Sequence, residues 1–123
     1  METSIAFQTT DWENLSASEH QGETGIAYWK TIQYPGLRIR VVEYSPNYTA
    51  DHWCEKGHII YCIEGEMDTL VRTVLPGGEL ADGSVHKLSA GMSYQVSDGL
   101  SSHRTSSKTG VKLFIVDGDF LKP

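Results

Sequence analysis

The sequence predicts an all-β protein, either a sandwich or a closed barrel of short strands. Three observations carry this. No stretch of the 123 residues sustains an apolar repeat of 3.6 residues. Roughly nine short segments are instead rich in β-branched and aromatic residues, several in strict alternation. Clusters of Gly, Pro, Asn, Asp and Ser separate them, and the chain holds 12 glycines.

The elements follow in order. Residues 1–8 are expected to add an edge strand. Asp11 to Leu15 reads as a single helical turn, capped by Thr10 or Asp11. Ser16 to Gly25 is polar and reads as a loop, with His20 a solvated surface residue. Residues 25–34 alternate Ile26, Tyr28, Lys30, Ile32 and Tyr34 against Ala27, Trp29, Thr31 and Gln33. Pro35-Gly36 is a turn signal, and 37–44 alternates again, so the two segments form a hairpin. After Ser45-Pro46-Asn47, residues 48–54 are extended and 57–64 form a strand. Gly65 breaks the run at a turn or a bulge, and 67–75 continues as another strand. Residues 76–84 are a Gly-rich loop. Short strands follow at 85–88, 92–96, 103–107 and, strongly apolar, 111–116. No repeat or linker interrupts this, so residues 1–123 are one domain. Residues 1–24 supply an N-terminal strand and loop, and 25–117 the barrel core.

Composition excludes several roles. The formal net charge is -6 and the ten basic residues are scattered, which argues against a nucleic-acid partner. No basic amphipathic segment or long apolar run suits a membrane. Met1 to Phe7 lacks the features of a signal peptide. The two cysteines, Cys54 and Cys62, would lie ~26 Å apart on one extended strand, too far to bridge. Reduced thiols and a cytoplasmic location are expected.

Chemistry concentrates in Asp51-His52-Trp53-Cys54-Glu55-Lys56-Gly57-His58. His52, Cys54 and His58 are good ligands for borderline and soft transition metals. His52 and Cys54, two apart on an extended chain, share a face. His58 recovers that parity if residues 55–57 bend. His103 is a fourth candidate that a barrel could bring back. A metal would lower the Cys54 pKa, and each histidine would need a partner for its second ring nitrogen. Asp51 or Glu64 are the candidates for that role. Among cavity-lining candidates, Arg40, Tyr94 and Gln95 are polar residues on strands that could point inward. An inward Arg40 would suit an anionic substrate. Cys62 is read as core, and His86 as a surface residue outside the cluster.

Residues 48–66 resemble the first cupin motif, a His-x-His pair followed four residues later by Glu and then an apolar strand ending in Glu-Gly. Tyr61-Cys62-Ile63-Glu64-Gly65-Glu66 fits that ending. Gly91 to Val96, then Asp98-Gly99 and His103, is similar in outline to the second motif, without its usual Pro. The likeness spans about residues 26–116 and is nearest to small bacterial cupins marked by an Asp-His-Cys-Trp signature, here Asp51-His52-Trp53-Cys54. It implies a conical jelly-roll β-barrel (a double-stranded β-helix) holding one divalent metal at its mouth. It also implies His52, Cys54, His58 and His103 as ligands. Cys54 stands where the family has its second His, and His58 where it has Glu. That exchange favours zinc, with iron, nickel or copper as alternatives.

The resemblance implies a metal-dependent enzyme acting on a small organic molecule in the barrel cavity, of dioxygenase, isomerase or lyase type. The alternatives are a non-catalytic metal-containing module that binds a small ligand, or a structural metal protein. Small cupins often pair through a sheet edge, so a homodimer is expected, with the N-terminal strand as the edge.

Overall fold

A computed structural model describes residues 4–81 and 83–123; the first part of the expected N-terminal strand and Asp82 of the expected loop lie outside them. Among the described residues nine strands form: β1 (Ser18–Gln21), β2 (Ile26–Tyr34), β3 (Leu37–Tyr44), β4 (Tyr48–Thr49), β5 (His58–Thr73), β6 (Ser84–Ser89), β7 (Ser93–Val96), β8 (Ser101–Ser107) and β9 (Val111–Gly118). Two short 3-10 turns, Trp12–Asn14 and Asp119–Leu121, complete the described elements. Asp11 caps the first, its carboxylate accepting from the Glu13 N–H at 3.2 Å.

All strand pairs are antiparallel, and β5 organises them. Its first half pairs with β9 on one side and β7 on the other. Its second half pairs with β6 and β8. One sheet therefore runs β1-β2-β3-β9-β5-β7, and the other β6-β5-β8-β4. The two curl around a shared strand, which is the cupin jelly-roll architecture expected above.

Of the turn or bulge expected at Gly65, a bulge forms, with the register shift between Cys62 and Glu64, and the expected second strand is the continuation of β5. His58, Ile60 and Cys62 face inward before the bulge, and Met67 and Thr69 after it. An extra residue in a strand exchanges its two faces, so even-numbered positions point in first and odd-numbered ones later. Gly65, at φ +83, carries the chain through this point with its Cα against the Gly110 carbonyl.

Two more expectations change. Residues 4–8 carry no strand, and Ser18–Gln21, expected as loop, is the outer strand beside β2. His20 accordingly stacks on Trp29, with ring centroids 3.7 Å apart, rather than standing free in solvent. The core between the sheets is Val42, Ile60, Cys62, Met67, Leu88, Val111, Leu113 and Ile115, with Trp29, Tyr44 and Tyr94 packed against it. Both cysteines are free.

A Cβ at position 65 would add strain at positive φ and collide with Gly110 backbone. Gly65→Ala should therefore lower unfolding stability by at least about 2 kcal/mol, read from urea midpoints at unchanged m-value.

Candidate metal centre

The cluster sits where β5 begins and β9 ends. Cys54 lies outside any strand, yet its backbone is fixed by a two-bond bridge to β8. Its N–H donates to the His103 carbonyl at 2.8 Å, and the His103 N–H returns a bond of 2.8 Å. That pairing holds residues 54 and 103 opposite each other across 49 positions of sequence. His58 is placed by Gly57, whose N–H donates to Asp98 Oδ1 at 2.5 Å and whose Cα packs too closely on Val96 and Asp98 to admit a side chain.

These anchors bring Cys54 Sγ and one nitrogen each from His58 and His103 within 4.8 Å of one another. Cys54 Sγ lies 4.0 Å from His58 Nε2. The two imidazoles meet edge to face, with centroids 5.5 Å apart. His58 and His103 are buried, and Cys54 is half-buried.

The donor set fits a metal ion on two counts. His58 Nδ1 lies 3.0 Å from Asp117 Oδ2, which fixes the ring and turns Nε2 toward Cys54. A carboxylate behind a histidine is the usual support for a ligating imidazole. His103 is only 6% exposed, and neither of its ring nitrogens has a hydrogen-bond partner in the protein. A buried imidazole without partners carries a desolvation penalty that coordination would remove.

Asp117 anchors more than His58. It also accepts from Arg38 Nε and Nη2, both at 3.0 Å, and from Arg40 Nη2 at 3.0 Å. Burial raises this carboxyl, but the bonds from His58 and Arg38 and the charges of Arg40 and Arg38 outweigh it. The net result is a carboxyl well below the usual carboxylate range. Burial lowers His58, and its bonds to Asp117 and Cys54 reverse that, so it ends above its ordinary value. The His103 imidazole, then that of His58, lower the Cys54 thiol to about 5 against the opposing effect of burial.

His52 does not join the cluster. β4 ends at Thr49 and the chain bends at Asp51 and His52, so residues 52 and 54 never share the extended segment that would give them one face. The His52 side chain is 73% exposed, and its Nδ1 lies 2.6 Å from Asp51 Oδ1. The expected four donors become three. Asp51 is thereby occupied and Glu64 is exposed; Asp117 takes the supporting role expected of them. A signal for Asp117 does exist in the sequence. It continues the inward parity of Val111, Leu113 and Ile115 and faces Arg38 across the β3–β9 pair.

The other predicted cavity residues divide. Arg40 is 4% exposed, and its guanidinium lies over the Trp29 ring at 4.5 Å. Burial first, and Arg38 second, lower its pKa. Tyr94 faces inward, with its ring centroid 6.2 Å from that of His103, and burial raises its hydroxyl pKa strongly. Gln95, its neighbour on β7, takes the opposite face and is exposed, since adjacent strand residues alternate. It borders a second hollow of about 440 Å³, among Val71, Leu88, Met92 and Leu100. His86 borders that hollow too, its Nε2 2.8 Å from Ser84 Oγ.

The cluster of Cys54, His58 and His103 opens on a smaller cavity of about 180 Å³, lined also by Arg40, Tyr44 and Tyr94 among others. Tyr94 and His103 line both hollows. A further hollow of about 580 Å³ around Trp12 and Phe114 lies on the outer face of the β2-β3-β9-β5 sheet and holds none of these groups.

No protein-family model matches the sequence, and no curated protein matches it. Solved structures do. The chain superposes on ectoine synthase from P. lautus with a TM-score of 0.65 at 14% identity, over 91% of this chain and 78% of that one. Protein NMB1881 from Neisseria meningitidis gives 0.54 at 21% identity, over 74% and 81%. These are cupin-fold proteins. The chain has the cupin fold. Oxalate decarboxylase from Bacillus subtilis agrees, with a TM-score of 0.63 at 16% identity, over 94% of this chain and 30% of that one. Among the described residues, no helix is long and apolar enough to cross a membrane.

Two outcomes follow for the metal-free protein. Asp117 has a depressed pKa in the folded state, so its stabilising contribution is complete above the ordinary carboxyl pKa near 4 and drains away as pH falls below it. Asp117→Asn should cost about 3 kcal/mol or more at pH 7 and flatten the acid limb of a stability–pH curve. Separately, alkylation of Cys54 by iodoacetamide should follow a titration near pH 5, and His103→Ala should move it toward the ordinary thiol value.

Proposed function

We propose that the protein is a metal-dependent enzyme acting on a small organic molecule, with Cys54, His58 and His103 as the protein ligands. The observation that carries this reading is the count of donors beside a cavity. Three side chains converge on one point, His52 does not join them, and a cavity of about 180 Å³ with Arg40, Tyr44 and Tyr94 in its lining lies next to them. Three protein ligands leave a coordination position for water or substrate, which is the arrangement of catalytic rather than structural sites. A metal held there would supply Lewis acidity toward a substrate oxygen or a bound water.

The chain's own residues supply the rest. Asp117 keeps His58 in the tautomer that presents Nε2. Tyr94 and Arg40 place polar groups on the cavity wall. The sulfur and imidazole donors suit zinc, and iron, nickel or copper can use the same set. Ectoine synthase and oxalate decarboxylase, which share the fold, bear the names of enzymes, and that likeness supports catalysis only by analogy. The substrate reaches the site from the barrel cavity. A homodimer through a sheet edge is part of the same reading, with β1 in the position expected of the N-terminal strand.

One observation favours a second reading. Asp117, His58 and Cys54 stand in the order acid, imidazole, thiol, which is the arrangement that activates a nucleophilic cysteine. Such chemistry needs the sulfur free of metal.

Elemental analysis of protein purified without chelators separates the two. On the metal reading, wild type carries about one transition metal per chain. Cys54→Ala and His103→Ala should each weaken binding at least tenfold, and Asp117→Asn by about 10- to 100-fold. His52→Ala should stay within about threefold of wild type. A native protein that neither carries metal nor takes up added Zn²⁺, Ni²⁺ or Fe²⁺ would sink the metal reading and leave the thiol.

A further inference from the structure

The second hollow, of about 440 Å³, is walled with hydrocarbon. Val71 on β5, Leu88 on β6, Val96 on β7 and the flanking Met92 and Leu100 all line it. Val71 continues the inward parity of Met67 and Thr69 along β5, and Val96 shares the face of Tyr94 on β7. The hollow therefore lies on the inner side of the strands. Its volume falls within the range of pockets that hold small organic molecules.

Two of these side chains stand open to water. Met92 is 46% exposed and Leu100 is 53% exposed, although both border the hollow. Backbone bonds hold them there. The Met92 carbonyl accepts from the Cys62 N–H at 2.9 Å, and the Leu100 carbonyl from the Val74 N–H at 3.2 Å. Hydrocarbon fixed at the mouth of a hollow and left in water gains from an occupant that covers it.

The polar groups around the hollow are engaged with the protein. Thr69 and Thr105 pair at 3.0 Å, His86 Nε2 lies 2.8 Å from Ser84 Oγ, and Lys87 Nζ lies 3.7 Å from Glu66. Among the described residues no carboxylate lines the hollow, so a cationic amine finds no counter-charge there. A polyol would give up its hydrogen bonds to water against five hydrocarbon side chains.

From this lining we infer that the hollow binds the hydrocarbon body of a small uncharged molecule, of the size of a monocyclic aromatic alcohol. Its role as substrate rests on the metal-dependent reading above; its binding does not. Tyr94 and His103 line both hollows, so one end of such a molecule lies against the wall of the cavity that holds Cys54 and His58.

The test is an NMR titration of metal-free wild type carrying ¹³C-labelled methionine methyls. The probes are benzyl alcohol, 3-phenylpropan-1-ol, 3-phenylpropionate and inositol. The two added methylenes should make phenylpropanol bind at least about fivefold more tightly than benzyl alcohol. The Met92 methyl should shift with the same midpoint, and inositol should not bind at concentrations where phenylpropanol saturates. Leu100→Gln, at an exposed position, should weaken phenylpropanol about threefold or more with an unchanged melting temperature. Val71→Thr, which puts a hydroxyl inside the hollow at nearly constant shape, is the second variant and should weaken it by a similar factor. No binding of phenylpropanol, no gain from benzyl alcohol to phenylpropanol, or equal binding of inositol overturns the assignment. So does an unmoved Met92 methyl, unchanged affinity in both variants, or binding of phenylpropionate tenfold tighter than the alcohol. Metal content, measured in parallel on chelator-free protein, reports on the other reading. Phenylpropanol binding without metal would leave this site standing and the metal-dependent enzyme refuted, and metal without such binding would do the reverse.

Discussion

The Asp117 carboxylate is the interaction on which the site depends. It stands 2% exposed at the end of β9 and receives donors from two other strands, Arg38 and Arg40 on β3 and His58 on β5. Burying a carboxylate is expensive, and removing one partner of such a group costs more than the pair ever returned. Asp117 therefore ties β3, β5 and β9 together only while every donor stays in place. That mutual dependence turns a polar interior into an ordered one. It fixes the direction of His58, holds the guanidinium of Arg40 on the Trp29 face, and so shapes both the metal cluster and the cavity beside it.

The fold was legible because strands announce themselves locally. Gly25 to Tyr44 reads as a hairpin from its alternation and its Pro-Gly turn, and β2 and β3 pair through that turn. Where the reading failed, the deciding force was not local. Gly65 signals a turn as readily as a bulge, and it is the bulge that lets β5 run on and serve both sheets. Ser18 to Gln21 is too polar to signal a strand, and forms one because β2 offers it an edge and Trp29 offers His20 a stacking face. All of β8 is Ser, Thr, His and Arg, but it is largely buried. Ser107 donates to the Glu66 carbonyl at 2.7 Å, and Thr69 and Thr105 pair at 3.0 Å. Hydrogen bonding supplies there what apolar patterning supplies elsewhere.

The site was legible in part. Cys54, His58 and His103 are residue types that stand out in any sequence. His52 stands out equally, and spacing alone could not reveal that the chain bends between it and Cys54. Parity holds only along a continuous strand, and β4 stops at Thr49. Tyr94 and Gln95 carry the same lesson in reverse: adjacent residues on one strand cannot both face inward. Asp117 escaped notice since its meaning lies in register. Only the pairing of β3 with β9 sets it opposite Arg38.

The anchoring of Cys54 has its own consequence. The eight residues between β4 and β5 belong to neither sheet; they are tacked down at Ala50, Cys54, Glu55 and Gly57 by a handful of hydrogen bonds. His58 and His103, in contrast, are woven into β5 and β8. A segment held by so few bonds can open without the rest of the molecule unfolding, on a faster timescale than either strand. Of the three candidate ligands, the sulfur is thus the one on a hinge. Local opening of such a strap would release the sulfur while the two histidines stay in their strands.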